Sequence, residues 1–382
     1  MSWLPDVKVT IGGTTYTNKV VDAIQVSYGR SNVWEQPRTG YATVNLIELN
    51  ETYLPIEIHS SVVITIDNSS GVPKTIFTGK VNNVQSSRAA QGIIAGTTVY
   101  TISAVGPFAE MSRANIGGSN YPKEFDDERM DRILLEAGVI IDIVDTPGIY
   151  EFANRSGSIA NAYSLAADTA SQAFGYIYET SDGKVGYANQ SRRLNEVQDN
   201  GFFEIAENYI ASAGFSTSRN LGNLLNSITV EYASGSVSAT EPGSISIYGL
   251  QDGKITTTLH DAANAQDLAD FFVATRSVPQ TNVENFSIQL DSTLLTNADR
   301  DTLIETFIGK PIAMPTLPAS LYNNGYAGFV EGYVIAANRT QASITLTTSD
   351  STFSLVPTRW QDVDPLQRWQ DVGGTIRWFE YE

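Results

Sequence analysis

Residues Ser158 to Arg193 read SIANAYSLAADTASQAFGYIYETSDGKVGYANQSRR. Placed at 100° per residue, Ile159, Ala162, Tyr163, Ala166, Ala170, Ala173 and Phe174 share one face. Asn161, Ser164, Asp168, Ser171 and Gln172 lie opposite, and Leu165 is off the pattern. The spacing predicts a short amphipathic helix from Ser158, stopped by Gly175 because glycine accepts the left-handed conformation of a helix end. Tyr176-Ile177-Tyr178 and Val185-Gly186-Tyr187 flank Ser181-Asp182-Gly183-Lys184, and Asp-Gly suits the positive φ of a hairpin turn. This αββ unit carries no reactive group and lies between two long strand-rich regions, an arrangement that points to assembly rather than catalysis.

Towards the N-terminus, Val7-Lys8-Val9-Thr10-Ile11, Gly12-Gly13 and Thr14-Thr15-Tyr16-Thr17 predict a β-hairpin. Strands follow at Ile24 to Tyr28, Tyr41 to Leu49, Val62 to Ile66, Ile76 to Val84 and Val99 to Val105, a number that suggests a barrel or sandwich. From Pro107 the period changes. Asp127 to Ala137 sets Met130, Ile133, Leu134 and Ala137 at helical spacing, with acids at the start and Gly138 just past the end.

Beyond about Ser218, strands are predicted at Ser227 to Tyr232, Ile245 to Tyr248, Phe286 to Leu290, Gly328 to Ile335 and Ser343 to Thr348. Two helices interrupt them. One spans Asp261 to Thr275, and the other starts at the capping-box-like Thr296 and Asp299. The two strand-rich regions align element by element: Tyr41 to Leu46 with Phe286 to Leu290, Val62 to Ile66 with Lys310 to Met314, Phe77 to Val81 with Phe329 to Val334, and Val99 to Ser103 with Ser343 to Thr347. The expected fold is mainly β with an α+β insertion: two similar β-barrel domains flanking a small helix-hairpin α/β domain. The expected boundaries are 1–106 for the first barrel, 107–217 for the α+β domain, 218–357 for the second barrel with its two helices, and 358–382 for a C-terminal arm.

That arm repeats Arg359-Trp360-Gln361-Asp362-Val363 as Arg368-Trp369-Gln370-Asp371-Val372, followed by Arg377-Trp378. Exposed Trp and Arg anchor interfaces, so Arg359, Trp360, Arg368, Trp369, Arg377 and Trp378 are candidate partner-docking residues. An arm folded back on its own barrel is the alternative.

Composition removes most chemistry. Lys plus Arg total 24 against 42 Asp plus Glu, a formal charge of −18, which argues against a groove that grips phosphates. With no cysteine, disulfides, thiolate nucleophiles and Cys-ligated zinc are excluded. The two histidines, His59 and His260, lie in different regions with no nearby Ser-acid arrangement; His59 is expected in a half-exposed strand, Ile56 to Ser60. Asp126-Asp127-Glu128 reads as the acidic opening of a helix, and Asp182-Gly183 as a turn rather than a calcium loop. Gly71 to Lys80 has the wrong spacing for a phosphate loop, with Val81 where Ser or Thr is needed. No catalytic, cofactor-binding or metal-ligating residue is assigned, and no enzymatic activity is expected. The N-terminus enters a strand pattern directly, without the apolar run of a signal peptide, and no apolar segment is long enough to span a membrane, so folding in a cytoplasm is expected.

The order of parts resembles the phage tail hub family, the baseplate hub and tail tip proteins of siphophage type. The resemblance rests on Ile133-Leu134-Leu135-Glu136-Ala137-Gly138, Ala162-Tyr163-Ser164-Leu165-Ala166-Ala167, Gly175-Tyr176-Ile177-Tyr178 with Asp182-Gly183-Lys184-Val185, and Asn226-Ser227-Ile228-Thr229-Val230. It covers roughly Val7 to Thr348. It implies a homotrimeric ring at the virion tail tip, assembled in the host cytoplasm, in which two barrels per subunit give quasi-sixfold symmetry. Such a ring adapts a sixfold tail tube or distal tail protein to a threefold spike or fibre and contacts the tape-measure protein, while DNA passes through its lumen without specific binding. An acidic lumen would let DNA slide without sticking. The other readings of the sequence are a β-rich adhesin for host-surface glycans, a hydrolase of such glycans, and a spike base of a contractile injection machine.

Overall fold

The structure, a computed structural model, describes residues 3–17, 20–49, 52–88, 97–210, 215–219, 221–283, 285–318, 320–321 and 325–356. The predicted N-terminal hairpin is present: β1 (Val7–Ile11) turns through Gly12 and Gly13, both at positive φ, into β2 (Thr14–Tyr16). It is followed by β3 (Val21–Gly29), β4 (Arg38–Glu48), β5 (Ser61–Asp67), β6 (Pro73–Arg88) and β7 (Thr98–Val105), each extending past its predicted start. Segment 56–60 is not a strand, because His59 takes a left-handed turn conformation at φ 69°. Next come α1 (Asp126–Ala137), capped by Gly138 at φ 71°, and β8 (Ile141–Val144).

The quoted stretch forms α2 (Ala162–Gln172), β9 (Tyr176–Glu179) and β10 (Val185–Ala188), with α3 (Arg192–Asn200) close behind. Asn161 caps α2 by accepting from the Ser164 N–H, so the helix begins four residues later than predicted and Ile159 lies exposed outside it. Ala162, Ala166 and Ala170 are fully buried; these small side chains let α2 approach α1, Ile177 and Tyr187 closely. Leu165, off the predicted stripe, packs at the edge of the same core. The left-handed position at the helix end belongs to Phe174, at φ 50°, not to Gly175. A side chain at Gly175 would instead meet the Ala188 carbonyl and the Tyr187 ring. The Gly183 turn, at φ 83°, forms as predicted, and β10 pairs antiparallel with β9 and parallel with β8.

The last third contains β11 (Ser227–Tyr232), β12 (Gly235–Thr240), α4 (Pro242–Tyr248), β13 (Asp252–Thr256), α5 (Ala262–Arg276), β14 (Phe286–Gln289), α6 (Asn297–Ile304), β15 (Pro311–Met314), β16 (Tyr326–Asn338) and β17 (Ala342–Asp350). Residues 245–248, predicted as a strand, are helical. Glu241 caps the turn by accepting from Gly243, Pro242 occupies the first helical position with φ already suited to it, and the alternating isoleucines leave Ile247 in solvent. The Thr296 cap forms as predicted, and the helix predicted from Asp261 begins at Ala262, with the Asp261 carboxylate as its cap. Strands β11 to β13 make a separate three-stranded sheet backed by α5, with a core that also takes in Tyr150, Phe152 and Ala173.

The chain is mostly β, 42% strand against 23% helix. Two distinct barrels were expected; instead, one antiparallel sheet runs continuously through both strand-rich regions, and among the described residues no closed barrel is formed. The join is β3 against β16, from Gly29–Gly332 to Ala23–Asn338. The four aligned strands nonetheless pair in the same order in each half: β5-β6-β7-β4 and β15-β16-β17-β14. The inward residues of both halves, such as Val44, Ile102, Ile335 and Ile344, form one hydrophobic core. Among the described residues, no helix is long and apolar enough to cross a membrane.

Candidate functional site

The helix-hairpin unit is wedged where the two β regions meet, and its contacts there are largely polar and buried. Strand β16 carries a bulge between Val330 and Gly332, opposite Thr348 and Thr347 of β17, and the extra residue is Glu331. Regular alternation is interrupted there, and the carboxylate lies wholly buried. It accepts from Arg30 Nε at 2.6 Å and from Arg193 Nη2 at 2.7 and 2.9 Å, and also from the Ser349 hydroxyl. Arg30 follows the end of β3, while Arg193 stands on α3 and also donates to the Ser354 hydroxyl. One carboxylate thus ties together the first β region, the central unit and the second β region.

The backbone is built around this contact. Arg30 N–H donates to the Glu331 carbonyl at 2.9 Å, and at Gly29, with φ 99°, a Cβ would lie 2.3 Å from that same oxygen. Tyr176 of β9 lies against both guanidiniums, 4.8 Å from Arg30 and 5.4 Å from Arg193 by ring centroid. Burial pushes the Glu331 carboxyl up, but Arg193, Arg30 and the Ser349 hydroxyl outweigh it and hold it below its usual value. Burial lowers Arg30, which Glu331 opposes.

An aromatic joint adjoins the ionic one across a cavity of about 250 Å³. Trp34 lies edge-on to Phe353 at 5.5 Å and tilted against Phe174 at 5.9 Å, with the Arg276 guanidinium 4.1 Å from its ring. Burial lowers Arg276 to about 10. Gln36 reads the backbone at the helix-hairpin corner, donating to the Gly175 carbonyl at 2.9 Å and accepting from Ile177 N–H at 3.2 Å. Tyr163 donates to the Pro37 carbonyl at 2.7 Å.

At the far end of β9, Glu179 is buried against the first β region. Its carboxylate accepts from the backbone N–H groups of Gly40 and Phe108, the latter at 2.5 Å. Burial pushes it up to about 7 against the pull of these donors. Side chains at Gly40 or Gly106 would collide with this carboxylate, which explains both glycines.

Inside the central unit, Asp126 does more than open a helix. It is buried and accepts from Ile149 and Tyr150 N–H at 2.6 and 2.8 Å and from the Tyr187 hydroxyl at 2.8 Å. The arrangement fastens elements; it does not present a nucleophile with a base. His59 and His260 stay apart, the former exposed beside Lys80, and among the described residues no cluster of three His, Cys, Asp or Glu is placed to hold a metal. The docking candidates Arg359, Trp360, Arg368, Trp369, Arg377 and Trp378 lie outside the described residues.

The outward face of the joined sheet is a second feature of note. Strand register places Tyr41, Thr43 and Asn45 of β4 beside Ser103 and Thr101 of β7 on one side, and beside Ser27, Gln25 and Ala23 of β3 on the other. The row continues through Val334 and Ala336 of β16 and Thr345 and Ser343 of β17 to Ser287 and Gln289 of β14.

No protein-family model matches the sequence, and no curated protein matches it. Solved structures do. The chain is similar to the 43 kDa tail protein of prophage MuSo2 from Shewanella oneidensis, at a TM-score of 0.65 and 11% identity over 91% of this chain and 99% of that one. A tail protein from Neisseria meningitidis gives 0.64 at 9% identity over 92% and 98%. An Escherichia coli component of the type VI secretion system, itself structurally similar to the T4 tail proteins gp27 and gp5, gives 0.52 at 11% identity over 92% and 79%. The resemblance to the phage tail hub family is borne out in the fold.

Proposed function

We propose that this chain is a structural protein of a phage tail tip: a homotrimeric hub ring joining a sixfold tail tube or distal tail ring to a threefold spike or fibre, with DNA passing through its lumen. The observation that carries this reading is the identical pairing order, β5-β6-β7-β4 and β15-β16-β17-β14, in two halves joined by the pairing of β3 with the C-terminal part of β16. Three such chains supply six similar units, the number needed to match a sixfold tube while keeping threefold symmetry. The tail-protein fold supports the same role. In this reading the units are 1–106, 107–217, 218–357 and the arm 358–382. The central unit sets the angle between the β halves through Glu331, Trp34 and Glu179, and the Arg-Trp arm docks the tip partner. The protein acts by assembly and has no enzymatic activity.

Negative-stain imaging of the purified chain tests this. A ring with six peripheral lobes and a central opening is expected, and deletion from Trp360 onward should leave that ring intact. Images of isolated compact particles would contradict it.

A further inference from the structure

The cavity beside Trp34 holds a cation without a counter-charge. Arg276, the last residue of α5, is half-buried; its Nε donates to the Asn223 carbonyl at 3.0 Å and its guanidinium lies 4.1 Å from the Trp34 ring. Among the described residues it makes no ion pair, and burial lowers it with no carboxylate near enough to oppose the shift. Taking a guanidinium out of water without an anion is costly. The vacancy stands out in a chain with 42 Asp and Glu against 24 Lys and Arg. Arg30 and Arg193 line the same cavity, but both are held by Glu331. The remaining wall is largely aromatic, from Trp34, Phe174 and Phe272. Its chemistry suits a carboxylate next to an aromatic ring.

The chain itself arrives at the rim of this cavity. Phe353 lies edge-on to Trp34 at 5.5 Å, Arg193 donates to the Ser354 hydroxyl, and the last described residue is the exposed Val356. At about 3.3 Å per extended residue, Trp360 and Asp362 reach roughly 20 and 26 Å from Ser354, which spans the cavity with slack. Alternate residues of an extended chain share a face, so Trp360 and Asp362 point one way, and Arg359, Gln361 and Val363 the other. We infer that the first repeat, Arg359 to Val363, seats in the cavity of its own chain, with the Trp360 indole among the aromatic walls and the Asp362 carboxylate on the Arg276 guanidinium. That pair is a charge-assisted hydrogen bond, among the stronger contacts a side chain makes. The inference does not depend on the hub reading. Within that reading it fixes the base of the arm at the junction and leaves Arg368, Trp369, Arg377 and Trp378 to the tip partner.

Trypsin tests this on the full-length protein, because Arg359 and Arg368 are each followed by Trp-Gln-Asp-Val and offer the protease the same bond. Asp362→Asn lies in the arm and removes only the proposed anion. Asp371→Asn makes the same local change in the second repeat and so supplies the intrinsic effect on cleavage. With the rate at each bond read by mass spectrometry, Asp362→Asn is expected to speed the cut after Arg359 about tenfold more than Asp371→Asn speeds the cut after Arg368, the opening that loss of one charge-assisted hydrogen bond produces. Arg276→Gln should speed the first cut and leave the second unchanged. Equal effects of the two asparagine variants, or no effect of Arg276→Gln on a folded protein, overturn the inference. If Arg276→Gln disturbs the joint around Trp34, the two arm variants decide alone. The mass of the same sample reports separately on the ring: a single-chain mass with the expected cleavage pattern sinks the hub reading and leaves this inference standing, and a ring with equal cleavage effects does the reverse.

Discussion

Replacing Glu331 with alanine is expected to destabilise the chain by about 3–5 kcal/mol, read as a shift of the urea midpoint at neutral pH. The guanidiniums of Arg30 and Arg193 are both nearly buried, and each makes its closest charged contact with this one carboxylate. Without it, two cations face each other in a low-dielectric interior with no counter-charge. Arg193→Met should cost distinctly less, because Glu331 keeps Arg30 at 2.6 Å and the remaining pair is balanced. A Glu331→Ala loss below about 1 kcal/mol, or a larger loss for Arg193→Met, would mean that the junction is not held by this charge arrangement. The expected consequence for assembly is specific. The three parts of the chain meet at this residue, so its loss is expected to free the angle between the β halves on which the proposed ring depends.

The second large effect concerns pH. Glu179 has a folded value near 7 against an ordinary 4.5, raised by burial. A carboxyl raised on folding contributes stability that is fully present below about pH 4.5 and is lost as pH rises towards 7. The difference corresponds to about 3 kcal/mol. Glu179→Gln, which cannot ionise, should remove that slope. Asp126 is also raised by burial and contributes with the same sign, so the quantity to compare is the parent's change between pH 5 and pH 8 minus the variant's. Identical slopes in the two proteins would show that Glu179 is not the group responsible.

Much of the architecture was legible in the sequence because local chemistry dictates it. The alanine stripe Ala162, Ala166, Ala170 and the Asp182-Gly183 turn set the helix and hairpin, and the caps at Asp261 and Thr296 set two later helices. The order of the aligned strands also survived, down to their pairing. What failed had two physical sources. At 245–248, period-two isoleucines outweighed the cap at Glu241 and Pro242, although both signals were present. The two expected barrels became one sheet because strand pattern does not encode which edges pair; the contact of β3 with β16 joins residues some 300 positions apart.

The junction itself was invisible for the same reason. Counted from Val330, Glu331 falls outward, and counted back from Tyr333 it falls inward; the conflict is resolved only by the bulge between Val330 and Gly332, which the sequence does not announce. Its partners lie 301 and 138 residues away. The available signal was a lone charge within the apolar run Tyr326 to Ile335. Arg193 closed the stretch from which the fold was read, yet nothing local distinguished it from Arg192, which instead pairs with Asp145. The comparison structures keep the fold while only about a tenth of their residues are identical to this chain's.

The central claim is that two similar halves per chain build a threefold ring, and the mass of the purified protein in solution tests it most directly. The expected value is that of three 41.5 kDa chains, lost in favour of single chains when Glu331 is replaced by alanine. A parent protein that stays at the mass of one chain would contradict the account.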